Sequence, residues 1–205
     1  MAGPYISLAT GRNVARPTRS QTSALDKYVP AYWRDVTWHR FADEMLPDLV
    51  RDPLVLRQEY FARNLQMVGA FHDAGVPFMA GTDTAAGVYI LPGFSLHDEL
   101  ANFVEAVFTP MEALETATSN PAVFLGMKAS IGSIEAGKFA DLLLLGANPL
   151  KNIRNTEKIK VVIAHGQVLD RAALDEILRK VESAASVRRS TTNFQSSENT
   201  EQGYR

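Results

Sequence analysis

The sequence predicts an α/β fold that ends in a small module of β-strands. A capped helix at about residues 53–74 precedes a short apolar run, residues 77–81, which we expect to form a buried strand. The run ends in Thr82-Asp83-Thr84, so this strand would present polar side chains at its carboxyl end. From Gly132 onward the pattern changes to short strands. A helix followed by a buried strand with a polar end is half of a βα repeat.

Composition limits the classes of function that the chain can have. Its 205 residues are 46% hydrophobic, as in an ordinary globular protein of one or two domains. With 21 Lys and Arg against 23 Asp and Glu there is no basic excess, so we expect no nucleic-acid partner. Without cysteine, any metal must be bound by His, Asp or Glu. No apolar run reaches the ~18–20 residues of a membrane span, and the first residues lack a secretory signal pattern. We therefore expect no membrane partner and a cytoplasmic location by default.

Residues 1–50 are predicted to form a loop-rich segment with short helices. Turn formers are frequent, and no helical or strand period is sustained. The middle of the segment is rich in aromatic residues, namely Tyr28, Tyr32, Trp33, Trp38 and Phe41. Packing into a small satellite core is the commoner use of such residues, and lining a substrate-binding loop is the alternative.

Three helix starts follow this segment. Asp52-Pro53 is an N-cap followed by proline at the first helical position, and Gly75 suits the end of that helix. Ser95 is a capped start for a second helix, residues 95–107. Thr109-Pro-Met-Glu112 has the pattern of a capping box and starts a third. The second and third helices are therefore expected to be short and to lie in series.

The strand module is predicted between residues 139 and 169. Its strands span residues 139–145, 159–164 and 167–169, and His165-Gly166 forms a tight hairpin turn between the last two. Residues 171–182 return to a helical pattern. The polar stretch from residue 183 onward is expected to be disordered.

Asp83 is the first candidate for chemistry. A carboxylate that directly follows a buried strand lies where α/β barrels place their catalytic groups. There it could bind a metal and accept a proton from an attacking water. The alternative is a simple turn in which Asp83 caps nearby amides.

The four histidines do not form a local metal motif. None is spaced as His-x-His or at helical i,i+4 positions. His72 lies on an apolar helix face and is expected at the core boundary, whereas His165 is expected on the surface. His97 opens a helix shortly after Asp83 and could face the same pocket or solvent. Phosphate loops, serine elbows and dinucleotide fingerprints do not occur, so nucleotide-dependent and serine-hydrolase chemistry are not indicated.

Several ordered segments resemble the C-terminal third of metal-dependent amidohydrolases. They are residues 74–84, 91–100 and 109–118. Asn120-Pro-Ala, residues 132–142 and Asn148-Pro-Leu are similar to the family's passage from its last barrel helices into its small β-sandwich domain. The match spans about residues 50–182. Within the family, the sequence most resembles the branch of imidazolonepropionase-like and Xaa-Pro or Xaa-Arg dipeptidase-like enzymes.

The resemblance implies a TIM-like (β/α)₈ barrel whose mouth holds one or two divalent metals, usually zinc, that activate water for attack on an amide. Asp83 would be a metal ligand and the proton acceptor, and His97 would be a substrate-binding residue. Asp141 would be structural. The implied divisions are a loop-rich barrel segment (1–50), the last βα units of the barrel (51–130), sandwich strands with a C-terminal helix (131–182) and a disordered tail (183–205).

The departures from the family define the alternatives. Residues 1–50 contain no counterpart of the family's His-x-His, bridging Lys and further His ligands. The chain is thus expected to be an incomplete barrel, inactive alone, from a hydrolase that acts on small amides, cyclic amides or dipeptides. Alternatives are a non-catalytic module that pairs with a missing N-terminal barrel half or with itself, and a small complete metalloenzyme built on Asp83 and His97. Val107 stands where the family tends to have a helix-ending glycine.

Overall fold

Helices occupy the first part of the described chain and a small sheet occupies the second. A computed structural model of the protein describes residues 24–38, 40, 53–84 and 90–186. A 3-10 helix (Asp26–Tyr28) and a π-helix (Trp33–Thr37) come first. The α-helices that follow are α1 (Leu54–Asp73), α2 (Phe94–Ala106), α3 (Pro110–Thr116) and α4 (Ser119–Phe124). The second part contains β1 (Leu142–Leu145), a 3-10 helix (Ile153–Glu157), β2 (Ile159–Ala164), β3 (Gln167–Leu169) and α5 (Arg171–Ser186).

The helices begin and end close to the predicted positions. Helix α1 confirms the prediction for residues 53–74, and it ends where Gly75 adopts a positive φ of 75°. Helix α3 begins with the predicted capping box: the Thr109 hydroxyl accepts from the Glu112 N–H, and the Glu112 carboxylate accepts from the Thr109 N–H at 2.7 Å. Within the described residues, no helix combines the length and the apolar character that a membrane span requires.

The hydrophobic core lies between α1, α2, α3 and the second 3-10 helix. Its buried members are Phe61, Leu65, Leu100, Phe103, Ala106, Phe108, Ala113 and Ile153. Helices α1 and α2 approach closely at Gly69, where a Cβ atom would lie 2.7 Å from the carbonyl oxygen of Ala106. Only glycine allows this approach without a shift of the backbone.

The sheet is antiparallel, with strand order β1-β2-β3. Leu142 pairs with Ile163, and a bulge lies between Leu144 and Leu145. The predicted hairpin is confirmed, because His165 (φ 51°) and Gly166 (φ 75°) both have positive φ and join β2 to β3. The Asp141 carboxylate accepts from the backbone N–H of His165 at 2.7 Å, in keeping with a structural role.

The first and last described elements are in contact. The Nζ of Lys27, in the first 3-10 helix, donates to Glu182 Oε2 in α5 at 2.8 Å. Both side chains are roughly half exposed. Helix α5 therefore packs on the N-terminal segment as well as on the sheet.

The buried strand expected at residues 77–81 is wrong. These residues form no regular secondary structure and pair with no strand of the described chain, and Met79 is exposed. Their backbone instead bonds to helix ends: the Ala80 N–H donates to the Thr116 carbonyl at 2.8 Å, and the Asn120 side-chain amide donates to the Phe78 carbonyl at 2.9 Å. A strand needs a neighbouring strand, and the described residues provide helices at this place.

Two observed element boundaries also differ from the predicted ones. Strand β1 begins at Leu142 rather than at residue 139, because the Phe139 N–H bonds to the Ser130 carbonyl in a preceding turn. Helix α5 continues to Ser186 rather than ending at residue 182, so the predicted disorder from residue 183 is wrong for its first four residues. The rest of the predicted tail, from residue 187, lies outside the described residues, as do residues 1–23.

Candidate functional site

Asp83 follows residues 77–81, two positions after that segment ends. Its side chain is exposed, and its backbone has a positive φ of 55°. On either side, the hydroxyls of Thr82 and Thr84 are 2.5 Å apart. Few residues other than glycine adopt this left-handed conformation, and Asp is among those that do so most readily. Such conformations are concentrated at functional sites.

The segment that leads to Asp83 is held in place by the core. The Phe78 ring packs edge-on against Phe103, at 5.8 Å between ring centroids, and against Phe108, at 5.3 Å. The hydrogen bonds of Phe78 and Ala80 to the α3–α4 region anchor the backbone on the other side. The carboxylate of Asp83 therefore stands at the end of a support fixed by both packing and hydrogen bonds.

His97 occupies a different environment, the junction of α2 with the second 3-10 helix. Its Nδ1 lies 2.9 Å from the Thr156 hydroxyl. That hydroxyl donates its one proton to the Ile153 carbonyl at 2.8 Å, so His97 Nδ1 must carry the hydrogen that the two atoms share. Burial lowers the pKa of His97 below its ordinary value, an effect opposed by Glu157 and Asp98 and reinforced by Arg154.

Charged neighbours of His97 strengthen the same junction. The Arg154 guanidinium lies 2.6 Å from Asp98 Oδ1 on α2 and 2.9 Å from Glu157 Oε1. Hydrogen bonds to Glu157 and Asp98 raise the pKa of Arg154 against the opposing effect of burial. The histidine and the ion pair together connect the helical part of the chain to the part that contains the sheet.

Of the remaining histidines, His72 and His165 have the predicted surroundings. The His72 ring packs on Phe108 at 4.1 Å between centroids, and its Nε2 lies 3.5 Å from Glu112 Oε1, as expected for a residue at the core boundary. His165 is exposed in the hairpin. The fourth, His39, lies outside the described residues.

The described residues do not fit a complete metal centre. Across residues 24–38, 40, 53–84 and 90–186, no three His, Asp or Glu side chains form a group that could hold a metal ion. Catalytic zinc sites use three protein ligands. Asp83 and His97 by themselves would supply only two ligands, one carboxylate oxygen donor and the Nε2 of an imidazole whose Nδ1 is engaged by Thr156.

A pocket beside Asp83 was not identified from the sequence. It has a volume of about 160 Å³, and its walls include Trp33, Trp38, Ile90 and Pro92 together with Thr84, the residue after Asp83. In the sequence, the signal for this pocket was the aromatic-rich segment that contains Trp33 and Trp38. Sequence alone did not show that residues 28–38 fold against Thr84, Ile90 and Pro92.

Comparisons with known proteins give consistent similarities. A family model described as "Amidohydrolase family" matches residues 32–169. An imidazolonepropionase of Pseudomonas syringae is 42% identical over 88 residues, which are 41% of this chain and 21% of that protein. An ochratoxinase of Aspergillus niger is 37% identical over 91 residues, 43% of this chain and 18% of that protein.

Solved structures show the same likeness. The structure of a putative prolidase from Bifidobacterium longum is 32% identical, with a TM-score of 0.51 over 68% of this chain and 35% of that one. The structure of a bottromycin amidohydrolase has a TM-score of 0.64 over 88% of this chain and 38% of that one, and at 24% identity it shows the fold alone. The chain thus matches about a fifth of the length of the first curated relatives and about a third of these structures.

Proposed function

Because the chain belongs to the amidohydrolase family, we propose that it serves in the hydrolysis of a C–N bond in a small amide, cyclic amide or dipeptide. The family predicted from residues 74–84, 91–100 and 109–118 is confirmed, and so is the branch. The observation that carries the proposal is that the matched region includes Asp83, held in a left-handed conformation at the end of an anchored segment. Relatives named imidazolonepropionase and prolidase support a substrate of this class.

In this proposal Asp83 acts as the general base. Its carboxylate accepts a proton from the water whose oxygen attacks the carbonyl carbon. The C–N bond then breaks, and the proton passes to the departing nitrogen. An exposed carboxylate on a rigid support suits this role, because a proton acceptor must be held within hydrogen-bond reach of the attacking water.

The amidohydrolase family is generally metal-dependent. We propose that Asp83 is also one ligand of a divalent metal, zinc being the expectation from the resemblance. The described residues do not provide the rest of such a centre, so further ligands would have to come from other parts of the functional protein. We also propose that His97 contacts substrate through Nε2, because Nδ1 is engaged by Thr156.

The same reasoning extends to the architecture. We propose that α1 to α4 are the last βα units of a (β/α)₈ barrel and that the three-stranded sheet belongs to the small β-sandwich domain. The match to about a third of each solved relative supports this division.

A specific observation also favours the second candidate function, an interaction module that pairs with a separate barrel half of the same family. Helix α1 exposes Leu56, Met67 and Phe71, large apolar residues that a barrel would cover. If this candidate is right, the chain will form a stoichiometric complex with a His-rich barrel half on sizing, and this chain alone will have no hydrolase activity.

Substitution of Asp83 tests the proposed function. In the longest open reading frame that contains this sequence, Asp83→Asn should lower kcat for amide and dipeptide substrates by about 10²–10⁴-fold. Asp175→Asn is the control, because Asp175 is an exposed carboxylate on α5 that is paired with Arg171. Near-normal turnover in Asp83→Asn would exclude the general-base role.

A further inference from the structure

The structure contains an aromatic pocket directly beside Asp83, which we define by Tyr28, Trp33, Trp38, Thr84, Ile90 and Pro92. It forms where the segment containing the π-helix folds against Thr84, Ile90 and Pro92. None of the described side chains that line it carries a charge. Small-molecule sites are concave and mostly apolar, with a few polar groups, and this pocket has that character.

We propose that the aromatic pocket binds a neutral aromatic ring of the substrate, next to the bond that is cleaved at Asp83. This inference rests on the proposed function and names its substrate class, an amide with an aromatic substituent. The position of the pocket supports it. Thr84 forms part of the wall and directly follows Asp83, and consecutive Cα atoms are about 3.8 Å apart, so the wall of the pocket is adjacent in the chain to the proposed general base.

The volume of the pocket fits one ring. It measures about 160 Å³, and an engineered apolar cavity of ~150 Å³ in another protein binds benzene. A bicyclic or larger group would have to extend through the open side. Burial of a phenyl group from water is expected to tighten binding by about 10- to 100-fold.

The walls are fixed by contacts outside the pocket. Trp38 and Ile90 are buried, and the Tyr28 ring stacks on Phe94 at 5.5 Å between centroids with an interplanar angle of 12°. Phe94 is the first residue of α2, so this wall rests on the same helical core that supports the segment of Asp83. A site whose walls are already positioned loses little entropy when it binds a ring.

Charge favours a neutral ring over a cation. Aromatic side chains can also enclose ammonium groups, but none of the described side chains that line the aromatic pocket is acidic. The Nζ of Lys27, which is paired with Glu182, already lies 5.0 Å from the centroid of the Tyr28 ring. The described lining therefore offers a second cation no carboxylate partner.

The two tryptophans of the chain are Trp33 and Trp38, so intrinsic tryptophan fluorescence reports on the aromatic pocket alone. The full chain would be titrated with N-acetylphenylalanine amide, N-acetylglycine amide and tetramethylammonium, with affinities checked by calorimetry. We expect saturable binding of the phenylalanine amide, at least 10-fold tighter than either of the other two probes. Equal binding of the two amides, or preferred binding of tetramethylammonium, would overturn the proposal.

Two variants locate the binding. Trp33→Ala removes a wall that is 38% exposed and should weaken binding of the phenylalanine amide by at least 10-fold. Tyr32→Ala is the matched control, because Tyr32 is the preceding residue, is 56% exposed and does not line the pocket. Circular dichroism verifies folding, and Trp33→Leu replaces Trp33→Ala if that variant unfolds. Unchanged binding in a folded Trp33 variant would also contradict the proposal.

Asp83→Asn separates this inference from the proposed function. The variant should still bind the phenylalanine amide, because Asp83 does not line the pocket. If Asp83→Asn binds the phenylalanine amide and hydrolyses substrate normally, Asp83 is not the general base, but the aromatic pocket still binds a ring. If Asp83→Asn loses hydrolysis and the wild type does not bind the phenylalanine amide, the general-base role is supported and the ring-binding proposal fails.

Discussion

At the scale of single residues, Val107 has a backbone conformation that suits glycine. It ends α2 with a φ of 129°, and its N–H bonds to the carbonyls of Phe103 and Val104. A β-branched residue is strained there because its Cβ meets the backbone. This turn therefore has a conformation that glycine, unlike valine, adopts without strain.

Val107→Gly should therefore stabilise the protein, by about 1 kcal/mol after allowance for the added freedom of the unfolded chain. Little burial is lost, since Val107 is 56% exposed. The measurement is urea unfolding. Val123→Gly is the matched control: that valine is 59% exposed but lies inside α4, so its replacement should lower the free energy of unfolding. Equal effects of the two substitutions would show that Val107 is not strained.

Gly69 presents the opposite situation, a glycine required by space. Gly69→Ala places a methyl group 2.7 Å from the Ala106 carbonyl oxygen, and a backbone atom cannot move away without shifting α2. We expect a loss of about 1–3 kcal/mol in the free energy of unfolding, despite the better helix propensity of alanine. Gly81→Ala has nothing within 4 Å of the added methyl group and should remain near the wild-type stability.

At the scale of elements, the capping box of α3 gives a pH-dependent contribution. The Thr109 backbone N–H and then its hydroxyl lower the pKa of Glu112 below its ordinary 4.5, with a smaller effect from His72. A carboxyl whose pKa is lower in the folded state contributes fully above 4.5, and the contribution is lost as the pH falls through the lowered pKa.

Glu112→Gln should accordingly be less stable than the wild type at neutral pH, and the difference should shrink as the pH falls below 4.5. Chemical unfolding at a series of pH values measures it. Glu115→Gln, on the same helix and outside the capping box, is the control and should show a smaller difference. A Glu112 difference that persists at the lowest pH would mean that the charge of the carboxylate does not matter.

Local signals explain which elements could be predicted. The capping box of α3, Gly75 after α1 and the His165-Gly166 turn act within a few residues of their own positions, so the sequence is sufficient to identify them. Segment 77–81 has the composition of a strand, but pairing requires a partner that composition cannot supply. The role of Asp83 could be suggested from its place after that segment. The aromatic pocket could not, because residues 28–38 meet Thr84, Ile90 and Pro92 there, and these two groups are far apart in the sequence.

At the scale of the whole molecule, helix α2 contacts the second 3-10 helix, which lies between strands β1 and β2. The contacts are His97 with Thr156 and Asp98 with Arg154. The pKa of His97 is lowered chiefly by burial, from an ordinary value of 6.5. The neutral ring therefore suits the folded state. The contribution of His97 to the free energy of unfolding has its full value above pH 6.5. It declines as the pH falls toward the lowered pKa, because the unfolded chain binds a proton there more readily than the folded one.

His97→Asn should remove this decline while keeping a donor near the Thr156 hydroxyl. We expect the variant to lose less stability than the wild type between pH 6.5 and pH 5, as measured by thermal unfolding. His165→Asn serves as control, since it lies on an exposed turn where asparagine tolerates the positive φ. Identical pH profiles for wild type and His97→Asn would show that His97 does not couple protonation to folding.

The ion pair between Lys27 and Glu182 has a consequence for synthesis on the ribosome. The two residues are 155 positions apart, and translation at roughly 5–20 residues per second separates them by about 8–30 s. During that interval Tyr28 and the two tryptophans have been made, but α5, on which their segment rests, has not. The contact between the first 3-10 helix and α5 can therefore form only after nearly all of the described chain has been made, whereas the stacking of Tyr28 on Phe94 can form earlier.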